Sequence, residues 1–209
     1  MAKVLHVRSS PHGKRSRTRQ CAEDFLAAYA ELNPADEIET IDVWEAALPP
    51  FDGETIDAKL AVLRRQEFTP AQEARWNAVR EFSQRFNSAD KYVLSVPMWN
   101  FGIPYRLKHF IDVVTLAGEN WTWSRECGYQ SLLRNKKALA IYSSAGPYPA
   151  GVPSYASDFQ KPYLRQWLLF VGVNDVREIN VAPTLAEAEV VAKAIAQARL
   201  AAVEIAKAF

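Results

Sequence analysis

Three short stretches of this 209-residue chain carry side chains that loops seldom hold without a ligand. The first is Arg8-Ser9-Ser10-Pro11-His12-Gly13-Lys14-Arg15-Ser16-Arg17-Thr18, which gathers hydroxyls and cations and has no carboxylate. Ser16 suits the N-cap of the helix expected after it, and the unpaired N–H groups of a helix start favour an anion. No glycine precedes the Gly13-Lys14 pair at the spacing of a P-loop, and no GxGxxG fingerprint is present. A lone phosphate monoester therefore suits this loop better than a dinucleotide's pyrophosphate. An ordinary solvated, capped helix start explains the same residues, so both readings stand.

The second stretch is Pro97-Met98-Trp99-Asn100-Phe101-Gly102-Ile103-Pro104. Loops are mostly solvated, so large apolar side chains there need a reason. A flat aromatic ligand supplies one: Trp99 and Phe101 can pack around its edges while Gly102 permits close backbone approach. A surface aromatic cluster used for subunit packing is the alternative. The third stretch, Ser143-Ser144-Ala145-Gly146-Pro147-Tyr148, allows backbone contact with a ligand rim, although by itself it marks only a turn. His6, His12 and His109 have no metal-ligand spacing with one another or with a cysteine, and no GxSxG elbow supports a serine nucleophile. Metal chemistry and acyl transfer are not expected.

Alternating strands and helices must position these loops. Strands are expected over Lys3–Val7, Glu37–Val43, Lys91–Val96, Lys137–Ser143 and Asp175–Val181. Helices are expected from Ser16 to Pro34, around Ile56–Arg65, over Pro70–Phe86 and Ile103–Leu116, from about Ser154 to Phe170, and from a Thr184 cap to Lys207. Ala22, Phe25, Leu26, Tyr29 and Leu32 recur at helical spacing, and Leu107, Phe110, Ile111 and Val114 are read as facing inward. Trp121–Ser124 reads as a small ribbon on which Trp121 and Trp123 project to one side. The pattern predicts one α/β domain over residues 1–209, a parallel sheet with helices on both faces. Ligands of such sheets bind beyond the carboxyl ends of the strands, where the three loops should meet.

Composition narrows the partners. A net charge of +1 gives no basic face for nucleic acid, and 49% hydrophobic residues are enough for a core without disulfides or metals. No run approaches the roughly 20 apolar residues of a membrane span. Cys21 and Cys127 form no CxxC motif, so a reduced, cytoplasmic setting is expected.

The stretch VPMWNFGIPYRLKHFIDVVTLAG resembles the PMYNFxIPxxLKxxID pattern of the FMN-dependent NADH-azoreductases, a branch of the flavodoxin-like NAD(P)H:quinone oxidoreductases. The resemblance runs from KVLHVRSS to the final helix. It implies a five-stranded flavodoxin-like sheet of order 2-1-3-4-5, a homodimer, and bound FMN with NADH or NADPH as electron donor. Carried over, Ser10 and the Ser16-Arg17-Thr18 turn hold the FMN phosphate. Pro97, Met98, Trp99, Asn100 and Phe101 line the isoalloxazine, and Ser143, Ser144, Ala145 and Gly146 close its pyrimidine side. Trp121, Trp123 and Phe170 form a substrate wall, although as plain core residues they would need no ligand.

The implied reaction is two-electron reduction of quinones and azo compounds by ping-pong hydride transfer, with the flavin N5 as the reactive atom and no obligate protein acid or base. Trp99 replaces the family's Tyr, Arg17 its usual Gln or His, and Ala145 the first of its Gly pair. Arg17 strengthens a phosphate site if it points inward, and Ala145 narrows the third loop by a methyl group. The rivals are a flavodoxin-type electron carrier and a phosphodiester hydrolase, and the latter lacks a nucleophile or metal cluster.

Overall fold

The structure is a computed structural model that describes residues 1–149 and 151–209; Ala150, within the loop expected after Ser143, lies outside them. The strands are β1 (Lys3–Arg8), β2 (Glu37–Asp42), β3 (Lys91–Pro97), β4 (Trp121–Ser124), β5 (Gly128–Ser131), β6 (Lys137–Ser143) and β7 (Asp175–Val181). The helices are α1 (Arg17–Leu32), α2 (Gly53–Arg64), α3 (Pro70–Asn87), α4 (Tyr105–Val114), α5 (Gln160–Val171) and α6 (Ala188–Ala206).

A 5-stranded sheet runs in the order β2-β1-β3-β6-β7 with every pairing parallel. With the separate antiparallel β4–β5 hairpin set aside, this is the 2-1-3-4-5 order that the resemblance implies. The central strands are apolar on both faces because helices cover both: Tyr92 to Val96 and Ala138 to Tyr142 are buried throughout. One core layer joins Leu5, Tyr92, Leu107, Phe110 and Leu168. The other joins Val4, Phe25, Tyr29, Val93 and Leu139 to the alanine face of α6. Each large apolar side chain so buried contributes about 1.5–3 kcal/mol. Among the described residues no helix is long and apolar enough to cross a membrane.

Several boundaries differ from the expected ones, each for a local reason. α2 begins a turn earlier because Asp52 caps it, accepting from the Thr55 N–H at 3.0 Å. α4 begins at Tyr105 rather than Ile103, since Pro104 biases its preceding residue toward extended backbone. The helix expected from Ser154 is a 3-10 turn at Pro153–Ser157 followed by α5. Leu32, the last residue of α1, is exposed although it continues the helical spacing of Phe25 and Tyr29.

Thr184 does not cap α6. That helix starts at Ala188, and the Thr184 hydroxyl and N–H both donate to the Ser144 carbonyl at 3.0 Å. The residue read as a helix signal instead fastens the third loop.

Candidate functional site

Register alone brings the loops together. Arg8 at the end of β1 lies beside Ser95 of β3, and Pro97 lies beside Ser143 of β6. Between the loops is a cavity of about 170 Å³ lined by Ser10, His12, Arg15, Ser16, Arg17, Pro97, Trp99, Ser143 and Thr184. No carboxylate is among those lining residues.

The first loop gathers hydroxyls, cations and a helix start. A 3-10 turn over Gly13–Arg15 leads into Ser16, whose extended backbone (φ −70°, ψ 122°) places it at the N-cap of α1. Its Oγ accepts from the Arg19 N–H at 3.3 Å and lies 3.1 Å from the buried Thr18 Oγ1. The first turn of α1 holds no acidic residue that would compete for its N–H groups. Lys14, Arg15 and Arg17 are exposed around it, while Arg19 is paired with Glu23 at 2.7 Å.

Beneath this loop the sheet carries a buried imidazole. His6 Nε2 lies 2.7 Å from Ser95 Oγ, and Nδ1 has no partner among the described residues. Burial, reinforced by the Arg8 and Arg19 charges, pushes the His6 pKa down to about 3. The unfolded chain takes up a proton near pH 6.5 whereas the native chain does not, so stability falls as the pH drops from 6.5 towards 3. Between pH 7 and pH 4.5, urea unfolding of the natural chain should lose about 2–3 kcal/mol more than that of His6→Gln. Parallel pH profiles would show that His6 is not held neutral.

The second loop is a tight turn. Trp99 and Gly102 exchange two backbone hydrogen bonds, of 2.9 and 3.0 Å, around Asn100 (φ 47°) and Phe101 (φ 70°). Two positive φ angles define a mirror-image turn of the I′ kind, at a cost of about 1–2 kcal/mol for a residue such as Phe. The turn is anchored on both sides, with the Met98 N–H donating to Ser143 O at 2.7 Å and the Phe159 N–H to Phe101 O at 3.0 Å. The Asn100 and Phe101 side chains are exposed, and the half-buried Trp99 lies against the cavity.

Strain held in place by surrounding bonds is a mark of a functional turn. In the third loop, Ser144 Oγ donates to Gly146 O at 2.8 Å, Thr184 holds the Ser144 carbonyl, and Ala145 is exposed.

Two aromatic residues that sequence reasoning passed over complete the second loop. Trp44, just beyond β2, packs on Trp99 (centroids 5.6 Å) and meets Tyr105 edge-on (5.3 Å). The only sequence mark of Trp44 is a large aromatic at the end of a strand.

Trp121, Trp123 and Phe170 lie elsewhere in the chain. α4 descends from the loop edge, the β4–β5 hairpin follows it, and β6 begins only after the hairpin, so the hairpin sits at the amino-terminal edge of the sheet. There Trp121 packs on Phe170 at 5.5 Å, and Tyr129 closes the cluster at 5.5 Å from Trp121 and 5.7 Å from Phe170. Gly172 (φ 106°) ends α5 against the hairpin, where any Cβ would collide with the Leu133 backbone. Trp123 is 56% exposed. Within one chain these three residues therefore stand at the edge opposite the cavity.

The sequence matches the family model described as flavodoxin-like fold over residues 2–205. It is 42% identical over 186 residues to an FMN-dependent NADH:quinone oxidoreductase of Nitratidesulfovibrio vulgaris, covering 89% of this chain and 88% of that one. A protein of the same name from Desulfotalea psychrophila is 37% identical over 207 residues, covering 99% and 97%. Among solved structures, an FMN-dependent NADH-azoreductase from Bacillus anthracis, in complex with FMN, superposes with a TM-score of 0.84 at 26% identity, covering 99% of this chain and 100% of that one. The chain belongs to the flavodoxin-like-fold family, on the branch that holds these FMN-dependent NADH:quinone oxidoreductases.

Proposed function

We propose that the protein is an FMN-dependent NADH:quinone oxidoreductase that also reduces azo compounds. The observation that carries this reading is the meeting, at one sheet edge, of a carboxylate-free cradle of hydroxyls, cations and helix N–H groups with a strained aromatic turn. The donor set fits one phosphate monoester, which rules in FMN over FAD. Ser10, Ser16, Arg17 and Thr18 hold the phosphate. Pro97, Met98, Trp99, Asn100 and Phe101 flank the ring system, and Ser143, Ser144, Ala145 and Gly146 border its polar edge. Bound there, FMN supplies a ring that accepts a hydride from a nicotinamide and passes two electrons to the acceptor.

The chain's own part is binding and orientation. The Trp99–Gly102 turn leaves the Asn100 and Phe101 N–H groups without a backbone partner among the described residues, so both are available to a ligand's ring atoms. Exposed Phe101, Tyr105 and Phe159 present a flat apolar surface to donor and acceptor alike. Successive occupation of one position gives ping-pong kinetics, with NADH and NADPH both candidate donors.

The surface supports a homodimer. Phe101, Tyr105 and Phe159 at one edge, and Trp123, Tyr129 and Leu169 at the other, leave large apolar side chains in water at both ends of the α4–α5 side. A cavity of about 530 Å³, lined by Gly102, Ile103, Tyr105, Lys108, Phe159 and Tyr163, lies at the loop end. A two-fold axis between these ends lays each hairpin over the other copy's loops, and Trp121, Trp123 and Phe170 then wall the site across the interface.

The purified protein should be yellow, release FMN on denaturation and bleach under anaerobic NADH, and double-reciprocal plots against a quinone should be parallel. Released FAD, or a flavin that NADH leaves oxidised, would overturn the reading.

A further inference from the structure

Trp44 belongs to none of the three loops, yet it touches two of them. Its indole Nε1 donates to the Ser9 carbonyl of the first loop at 3.0 Å while its ring packs on Trp99 of the second. The segment that carries it is fixed from α4, where the Arg106 guanidinium donates to Val43 O at 2.8 Å and to Ala46 O at 3.1 Å. The Val43 N–H in turn donates to Arg8 O at 3.0 Å.

Ser9 is held on its other side as well. Its N–H and its hydroxyl both donate to Ser95 O, at 3.2 and 2.6 Å. The peptide that joins Ser9 to Ser10 is planar and trans, so its C=O and N–H point in opposite directions. With the carbonyl captured by Trp44, the Ser10 N–H is turned away from the indole. That N–H donates to no acceptor among the described residues, and Ser10 lines the anion cavity.

We infer that Trp44 is a positioning residue of the cofactor site: by holding the Ser9 carbonyl it orients the Ser10 N–H as a phosphate donor, and by packing on Trp99 it fixes the spacing of the phosphate and aromatic loops. The inference rests on the FMN reading and assigns a role to a residue outside the loops that contact the ligand. Loss of the indole N–H frees the Ser9–Ser10 peptide to rotate, which withdraws one donor from the phosphate. The ring contact with Trp99 is a separate function that phenylalanine preserves.

The two functions come apart in a comparison of FMN with riboflavin, which lacks the phosphate. Full-length protein freed of flavin is titrated with each, and the ratio of the two dissociation constants reads the phosphate contribution. In Trp44→Phe the FMN dissociation constant should rise roughly ten- to a hundredfold, the worth of about one hydrogen bond to a charged group, while that for riboflavin stays within about twofold. Arg106→Lys, which keeps Trp44 but loosens its segment, should raise the FMN-to-riboflavin ratio of dissociation constants in the same sense by a smaller factor, and it decides the matter if Trp44→Phe does not fold. Equal weakening of both flavins, or an unchanged ratio in a folded variant, would show that Trp44 only packs. A natural protein that binds neither flavin would remove the FMN reading itself, and this inference with it.

Discussion

A Ser16→Asp protein is expected to fold normally and to emerge colourless. Asp is as good an N-cap as Ser, so the bond now made by Ser16 Oγ to the Arg19 N–H has a ready replacement. The new carboxylate also sits among Arg15, Arg17 and Arg19, and the first turn of α1 has no acid of its own to repel it. The ligand-free protein should therefore be as stable as the natural one or slightly more so.

The phosphate meets a different situation. Two unit charges about 4 Å apart at an effective dielectric of 20 interact by about 4 kcal/mol. FMN affinity should drop by about 100- to 1,000-fold, whereas riboflavin affinity should stay nearly unchanged. The measurement is a flavin fluorescence titration paired with urea unfolding of the ligand-free protein. Undiminished FMN affinity would place the phosphate away from Ser16. Weakening shared by riboflavin would point to damage of the fold rather than to charge.

Much of this architecture is legible in the sequence because burial on both faces leaves a strong mark. The apolar run of β6 gives its bounds residue for residue, since a central parallel strand under helices admits few polar side chains. Ser16 is legible because an N-cap is local chemistry: a hydroxyl, an extended backbone and an N–H one turn ahead.

What is not legible depends on partners distant in sequence. Thr184 has the look of a cap, and only the fold shows that the Ser144 carbonyl claims its hydroxyl. Trp44 earns its place through Ser9, Trp99 and Arg106, which lie on three other segments of the chain. The hairpin's location is equally hidden. A motif resemblance says that Trp121, Trp123 and Phe170 belong together; Trp121 does pack on Phe170 at the end of α5, while Trp123 lies farther along the hairpin and is exposed. It does not say at which edge of the sheet the chain will leave them.

That location makes the proposed two-fold assembly testable by complementation. Trp123→Ala removes an exposed ring from the hairpin and touches none of the phosphate or aromatic loops of its own chain. The variant should keep FMN, because the residues assigned to it come from a single chain, and should lose most of its quinone turnover. Mixed with Ser16→Asp under conditions that exchange subunits, it should recover. In a mixed dimer the Ser16→Asp chain holds no flavin but lends its intact Trp123 to the flavin of its partner. Half of the dimers are then mixed, each with one complete site of two, so recovery should reach about a quarter of natural activity. Light scattering should show dimers throughout. Full activity in a monomer would defeat the assembly. Activity that stays at the level of the separate variants after verified exchange would mean that Trp123 serves its own chain, against the opposite-edge placement of the hairpin.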